Sequence, residues 1–213
     1  MLRCYISLMP RKATHKRLQK SIYSARWNGR NALVVELARD YLAHHPNDAT
    51  VWLCLGHALT KLSRYEEAEQ VLSVDLVPEF EKLQPDFWRE RGELERQRGN
   101  LYEAKECFER ALDADVQGED LYLRVDLGYL ALKLGHLTEG EEHFRRTLED
   151  GDFESKGADW YRLGQALRAQ GRIEEALDCF KRASTHNPKF RPIVGEIREL
   201  EQVLVIRLMR SED

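Results

Sequence analysis

A chain of 213 residues accommodates one or two globular domains, or a single repeat array. It is 42% apolar and 33% charged, and it lacks any run of about 18 apolar residues, so the sequence offers no membrane-spanning helix. The net charge of −4 is unevenly placed: residues 1–35 hold eight Lys/Arg and no acid, whereas the remainder holds 25 bases against 37 acids.

The cysteines, Cys4, Cys54, Cys107 and Cys179, form no CxxC pair and lie too far apart for a compact disulfide framework. Reduced thiols and a cytoplasmic location are expected. Residues 1–14, MLRCYISLMPRKAT, carry no clear element and read as a basic, flexible arm. Because the arm is Arg-rich and acid-free, a mitochondrial transit peptide, with a matrix location, is the alternative.

Helical periodicity begins at Leu18, with Ile22 and Ala25 on the same stripe. Asn28-Gly29 signals a turn. Leu33, Val34, Leu37, Ala38, Tyr41 and Leu42 then mark a second helix that ends at His45-Pro46. Four further units align at a period of 36 residues. Their helix-opening position reads Trp52, Trp88, Arg124, Trp160. Four residues on stand Gly56, Gly92, Gly128 and Gly164. The turn position reads Ser63, Gly99, Gly135, Gly171. In the second helix a small residue (Ala68, Ala104, Gly140, Ala176) is followed four residues later by a large one (Leu72, Phe108, Phe144, Phe180).

A helix-interior glycine costs about 1 kcal/mol relative to alanine, so four at one register imply that close packing requires them. The glycine column is therefore expected where paired helices touch, and the Phe column is expected to fill the space around it. Gly99, Gly135 and Gly171 are expected to end first helices in a left-handed backbone conformation. A last helix, about 192–209, carries Ile193, Ile197, Leu200, Leu204 and Leu208 on one face. Beyond Gln202 it is apolar all round, at Val203, Leu204, Val205 and Ile206. It reads either as a capping helix sunk into the last repeat or as a self-association patch through Val203, Leu204 and Ile206.

This pattern resembles the tetratricopeptide repeat. Its carriers are Trp-x-x-Leu-Gly at 52–56 and 160–164, Gly-x-Ile-x-x-Ala at 171–176, and Phe180, Ala183 and Pro188. The resemblance implies an all-α fold, a right-handed superhelical solenoid of antiparallel helix pairs, with about five units and a capping helix. The units are expected at 15–48, 49–84, 85–120, 121–156 and 157–188, with the cap and a short tail at 189–213. The repeat of 36 rather than the usual 34 residues places two extra residues in connectors that include Gly118, Gly151 and Gly157. Arg124 departs from the aromatic column, Arg91 stands where Leu55 and Leu163 stand, and Asp75 and Thr147 replace small apolar residues.

Catalytic chemistry finds no carrier: no Walker loop, GxSxG, HExxH or dinucleotide fingerprint occurs. Glu103, Glu106 and Glu109 read as solvated helix faces. His44-His45 and His57 lack converging ligands, so no metal or cofactor is expected. Cys107 and Cys179 share a column two repeats apart, too distant to pair. The chain is thus expected to be no enzyme but an interaction scaffold.

The resemblance further implies that first helices line a concave groove. The implied peptide-binding residues are Tyr23, Trp27, His57, Lys61, Arg89, Arg96, Tyr122, Tyr129, Tyr161 and Arg168. Bases and rigid aromatics on this face suit an acidic, partly apolar peptide. The lysine–asparagine set of the chaperone-tail clamps has no match at Leu53, His57, Arg89, Glu93, Val125 and Tyr129. Two alternatives remain: nucleic-acid association through the basic arm (Arg11, Lys12, Lys16, Arg17, Lys20), which the acidic body opposes, and self-assembly into a larger scaffold.

Overall fold

The computed structural model describes residues 11–73, 84–115, 121–150, 156–186 and 191–211, whose regular structure is all α-helix joined by turns, with no strand among them. The helices run α1 (Arg11–Trp27), α2 (Asn31–Leu42), α3 (Ala49–Lys61), α4 (Tyr65–Val71), α5 (Gln84–Arg98), α6 (Leu101–Ala114), α7 (Leu121–Lys133), α8 (Leu137–Asp150), α9 (Lys156–Ala169), α10 (Ile173–His186) and α11 (Arg191–Ser211). Helix α1 starts at Arg11, inside the stretch expected as an arm. Residues 1–10, with Cys4, lie outside the described residues, as do Asp75, Gly118 and Gly151. The chain forms two compact units, Met1–Ala114 and Asp115–Asp213.

Within each unit the helices pair as hairpins, and the glycine column shows why. A Cβ placed at Gly56 would come 2.5 Å from Leu72; at Gly92, 2.6 Å from Phe108; at Gly128, 2.6 Å from Phe144; at Gly164, 2.7 Å from Phe180. Each first helix therefore approaches its partner through a glycine notch filled by the large residue of the second helix. Phe108, Phe144 and Phe180 are 0–1% exposed as a result. The small column follows the same logic, since Ala68, Ala104 and Ala176 are fully buried.

Tight turns join the hairpins. Gly29, Gly99, Gly135 and Gly171 take φ of +66°, +90°, +82° and +77°, and Ser63 takes the same left-handed conformation at +57° without being glycine. Gly157 corrects its connector expectation: it lies inside α9, and a Cβ there would meet the His186 side chain at 2.7 Å.

The unit ending at Ala114 has a core built on Ile22, Val34, Ala38, Leu55, Leu59, Leu72 and Leu94; that of the other unit is built on Phe144, Leu163, Leu167, Phe180, Ile193 and Leu200. Two tryptophans of the aromatic column sit half-buried under arginines, Arg110 over Trp88 at 4.6 Å and Arg182 over Trp160 at 4.7 Å. Thr147, which departs from the small apolar column, is buried and returns its hydroxyl to the Phe144 carbonyl at 2.9 Å. No described helix is long and apolar enough to cross a membrane.

Candidate peptide-binding faces

In the unit ending at Ala114, the first helices α1, α3 and α5 present one charged face. Its centre is Glu90 on α5, 6% exposed, a residue that the repeat pattern did not single out. Arg26 Nη2 donates to Glu90 Oε1 at 2.7 Å, and Arg26 Nη1 donates to Cys54 Sγ at 3.4 Å. His57 Nδ1 lies 2.9 Å from Glu90 Oε2. One carboxylate thus ties α1, α3 and α5 together. The signal for it was present: Phe87, Glu90 and Leu94 follow helical spacing and are all buried, and an acid within an apolar stripe calls for a cation.

The other cations of this face, Lys61, Arg89 and Arg96, are also paired. Lys61 Nζ donates to Glu93 Oε1 at 2.7 Å, and Arg96 Nε donates to Glu93 Oε2 at 2.8 Å. Arg89 pairs with Asp86 one turn earlier. Burial disfavours the Glu93 carboxylate, but bonds from Lys61, Gln97 and Arg96 more than offset it and hold its pKa below the ordinary value. Tyr23 is 37% exposed, and Trp27, the last residue of α1, is 91% exposed. On the outer side, α1 and α2 enclose an open cleft of about 350 Å³, floored by Leu33 and Leu37 and rimmed by Arg17, Lys20 and Arg30.

Arg91, the departure from the leucine column, also finds acids. It approaches Glu95 at 3.5 Å and Glu69 at 3.7 Å, and it donates to the Leu72 carbonyl at 3.2 Å. Glu95 is itself 5% exposed and accepts from Asn100 at 2.8 Å.

In the unit starting at Asp115, the corresponding face is aromatic. Tyr129 on α7 packs edge-to-face on Phe144 with centroids 5.4 Å apart, and Tyr161 on α9 leans on Phe180 at 5.5 Å. Both second-helix rings are the ones that fill the glycine notches. The tyrosines therefore both cover the core and present an edge outward, Tyr129 at 38% exposure. Tyr122 extends further, at 83% exposure, and Lys133 is exposed at the end of α7. Arg168 is held by two acids of α11, Glu196 and Glu199, the latter at 2.9 Å. Burial, then Glu196 and Tyr129, raise the Tyr161 phenol above its ordinary pKa.

The described cysteines are free and buried. Burial pushes the Cys107 and Cys179 thiols up to about 11, so they remain protonated packing residues.

Two tetratricopeptide-repeat family models match the chain, over residues 89–155 and 159–190. No curated protein sequence matches it. Among solved structures, it is similar to the C-terminal part of a TPR repeat-containing protein from Cytophaga hutchinsonii, with 15% identity, a TM-score of 0.72, and 85% of this chain and 69% of that one covered. It is similar to YrrB, described as a TPR protein with an unusual peptide-binding site, at 20% identity and TM-score 0.65, covering 79% of this chain and 84% of that one. It is also similar to the first TPR of Spaghetti (RPAP3) bound to the HSP90 peptide SRMEEVD, at 21% identity and TM-score 0.52, covering 58% and 94%. At these identities the likeness concerns the fold. Repeat models and helix-hairpin geometry converge: the chain is a tetratricopeptide-repeat protein.

Proposed function

We propose that this protein is a non-catalytic scaffold or adaptor that holds an acidic, partly apolar peptide segment of another protein against the first-helix faces of its repeats. The observation that carries this reading is the row Tyr122, Tyr129 and Tyr161, of which Tyr129 and Tyr161 rest on the core phenylalanines of their own hairpins. A ring braced from behind loses little freedom on binding, which is why tyrosine dominates peptide and protein contacts. Lys133 supplies a cation at the end of that face, and Arg168 exchanges Glu196 and Glu199 for peptide carboxylates.

On the unit ending at Ala114, Tyr23, Trp27, His57, Lys61, Arg89 and Arg96 form a bank of contacts of their own. There a peptide acid competes with Glu90 and Glu93 for the same cations, so this bank selects for register more than it adds affinity. Glu90 and Glu93 also oppose a carboxylate clamp of the chaperone-tail kind. That YrrB and the Spaghetti domain are described with peptides supports the class of partner.

The test is affinity capture of partners, followed by titration of a synthetic segment from the captured chain by fluorescence anisotropy. Tyr122→Ala combined with Tyr129→Ala weakens that binding at least tenfold while the helical circular dichroism is unchanged. Arg89→Glu weakens it less. Equal affinity in the double variant refutes the assignment of this face.

A further inference from the structure

We infer that the cleft between α1 and α2 is a docking site separate from the first-helix faces. Its occupant is a segment of another protein that presents a carboxylate beside a leucine-sized apolar side chain.

The hairpins share one turn, which fixes the register between them. Gly29, Ser63, Gly99, Gly135 and Gly171 hold its left-handed position. The next residue donates its N–H back across the turn each time: Arg30 to Ala25, Arg64 to Leu59, Asn100 to Glu95, His136 to Ala131 and Arg172 to Leu167, at 2.8–3.0 Å. Arg30 and Arg64 also match in backbone conformation, with φ −82° and ψ 63° against φ −92° and ψ 64°.

Four residues after the left-handed position stand Glu67, Glu103, Glu139 and Glu175, but in the first hairpin Leu33. Where a base follows the turn, that glutamate is its partner. Arg64 clasps Glu67 through two hydrogen bonds of 2.7 and 2.8 Å, and Arg172 clasps Glu175 at 2.6 and 2.5 Å. His136 Nδ1 lies 3.4 Å from Glu139. The first hairpin keeps the cation, Arg30, and has hydrocarbon in place of the anion. Among the described residues, no carboxylate pairs with Arg30 or with Lys20 beside it on the rim. Glu36 and Asp40, further along α2, line no part of the cleft. Residues 1–10 contain no acid, so the N-terminal segment of this chain does not complete the pair.

The missing anion therefore comes from outside, and the cleft states what accompanies it. Leu33, 37% exposed, and Leu37 offer apolar area next to the guanidinium of Arg30. The wall adds two acceptors. The Ser21 hydroxyl donates to the Arg17 carbonyl at 2.9 Å, and the Asn28 amide donates to the Ser24 carbonyl at 2.7 Å, which leaves the Ser21 and Asn28 side-chain oxygens to accept. Peptide N–H groups fit such acceptors, and a fatty acid has none. The aliphatic floor gives nucleic-acid bases no ring on which to stack. A peptide with acid and hydrocarbon side by side matches all three features.

NMR titration of the full chain tests this, with short alanine–serine peptides that carry one Glu and one Leu at every spacing up to a helical turn. At least one spacing binds, its amide shifts fall on residues 17–37, and added salt weakens it. Leu33→Glu gives the first hairpin the acid that the others have. That acid pairs with Arg30, the thermal midpoint stays or rises, and the peptide binds about tenfold more weakly, a combination that a damaged fold does not give. Arg30→Gln weakens the same peptide by a similar factor. The proposal is overturned if no spacing binds, if the shifts fall outside α1 and α2, or if Leu33→Glu binds as well as the wild type. Decanoate binding as tightly as the peptide assigns the cleft to alkyl acids instead, and dimers that Leu33→Glu dissociates assign it to a second copy; either result also overturns it.

Discussion

Helix α5 and helix α9 hold equivalent places in their hairpins, yet they are built on different chemistry. Helix α9 buries Leu163 and Leu167 on its inner stripe. Helix α5 places Arg91 and Glu95 at those two positions and buries Glu90 one position earlier. Both helices seat a partner phenylalanine in a glycine notch, Gly92 on Phe108 and Gly164 on Phe180. The shared notch sets the hairpin geometry, and the residues around it are free to diverge. Helix α5 therefore uses buried ion pairs at the two positions where α9 uses hydrocarbon. A related contrast distinguishes the candidate faces of the two units, one charge-paired and one rich in tyrosine.

The largest effect should come from the charged side. Glu90→Gln leaves Arg26 and His57 without their shared acid and should cost about 3 kcal/mol, the low end for breaking a buried pair because Arg26 is partly exposed. Hydrogen-exchange mass spectrometry should show the loss confined to residues 11–114; an unchanged exchange pattern would mean that the pair contributes nothing to holding α1, α3 and α5 together.

Next is the apolar side. Gly164→Ala drives a methyl into the Phe180 ring and should destabilise the unit starting at Asp115 by about 1–3 kcal/mol, despite the better helix propensity of alanine. Urea denaturation reads this directly. A gain in stability would show that the notch is loose and that the hairpin comparison fails.

A smaller effect, of opposite sign, belongs to the turns. Ser63 is in a left-handed conformation that Gly99, Gly135 and Gly171 adopt without strain. Ser63→Gly should therefore stabilise its hairpin by about 1 kcal/mol in thermal denaturation, making the α3–α4 turn like the others.

The smallest effect is on acid sensitivity. Glu93 has its folded pKa lowered from the ordinary 4.5, so its contribution is present above that value and fades as pH falls through the lower folded value. Glu141, in the other unit, behaves the same way: burial opposes its ionisation, but Gln170, Arg145 and Arg172 more than compensate. Lys61→Met removes one partner of Glu93 and should lower neutral-pH stability by under about 1 kcal/mol, with the difference from wild type vanishing at acid pH. A difference that persists at acid pH would assign the loss to packing of the Lys61 stem.

Much of this architecture could be read from spacing alone. Gly128 and Gly164 announce a close helix contact because glycine within a helix is otherwise disfavoured, and Gly99 announces a turn for the same local reason. The ring columns announce what fills the notch. The candidate binding faces were legible only as a set of positions. Arg96, Lys61 and Arg168 read as available cations, but each one meets a carboxylate from its own chain. Glu196 and Glu199 lie 28 and 31 residues from Arg168, and Glu90 lies 64 residues from Arg26.

Repeat identity, helix pairing and the glycine-and-ring packing rule were determined by the sequence, because they rest on backbone conformation and on side chains at fixed helical spacing. The partners of the charged groups, and which apolar residues of α11 are covered, were decided by tertiary structure. Charges interact through space across separate helices, and whether an apolar residue is covered depends on which side of its helix a neighbour occupies.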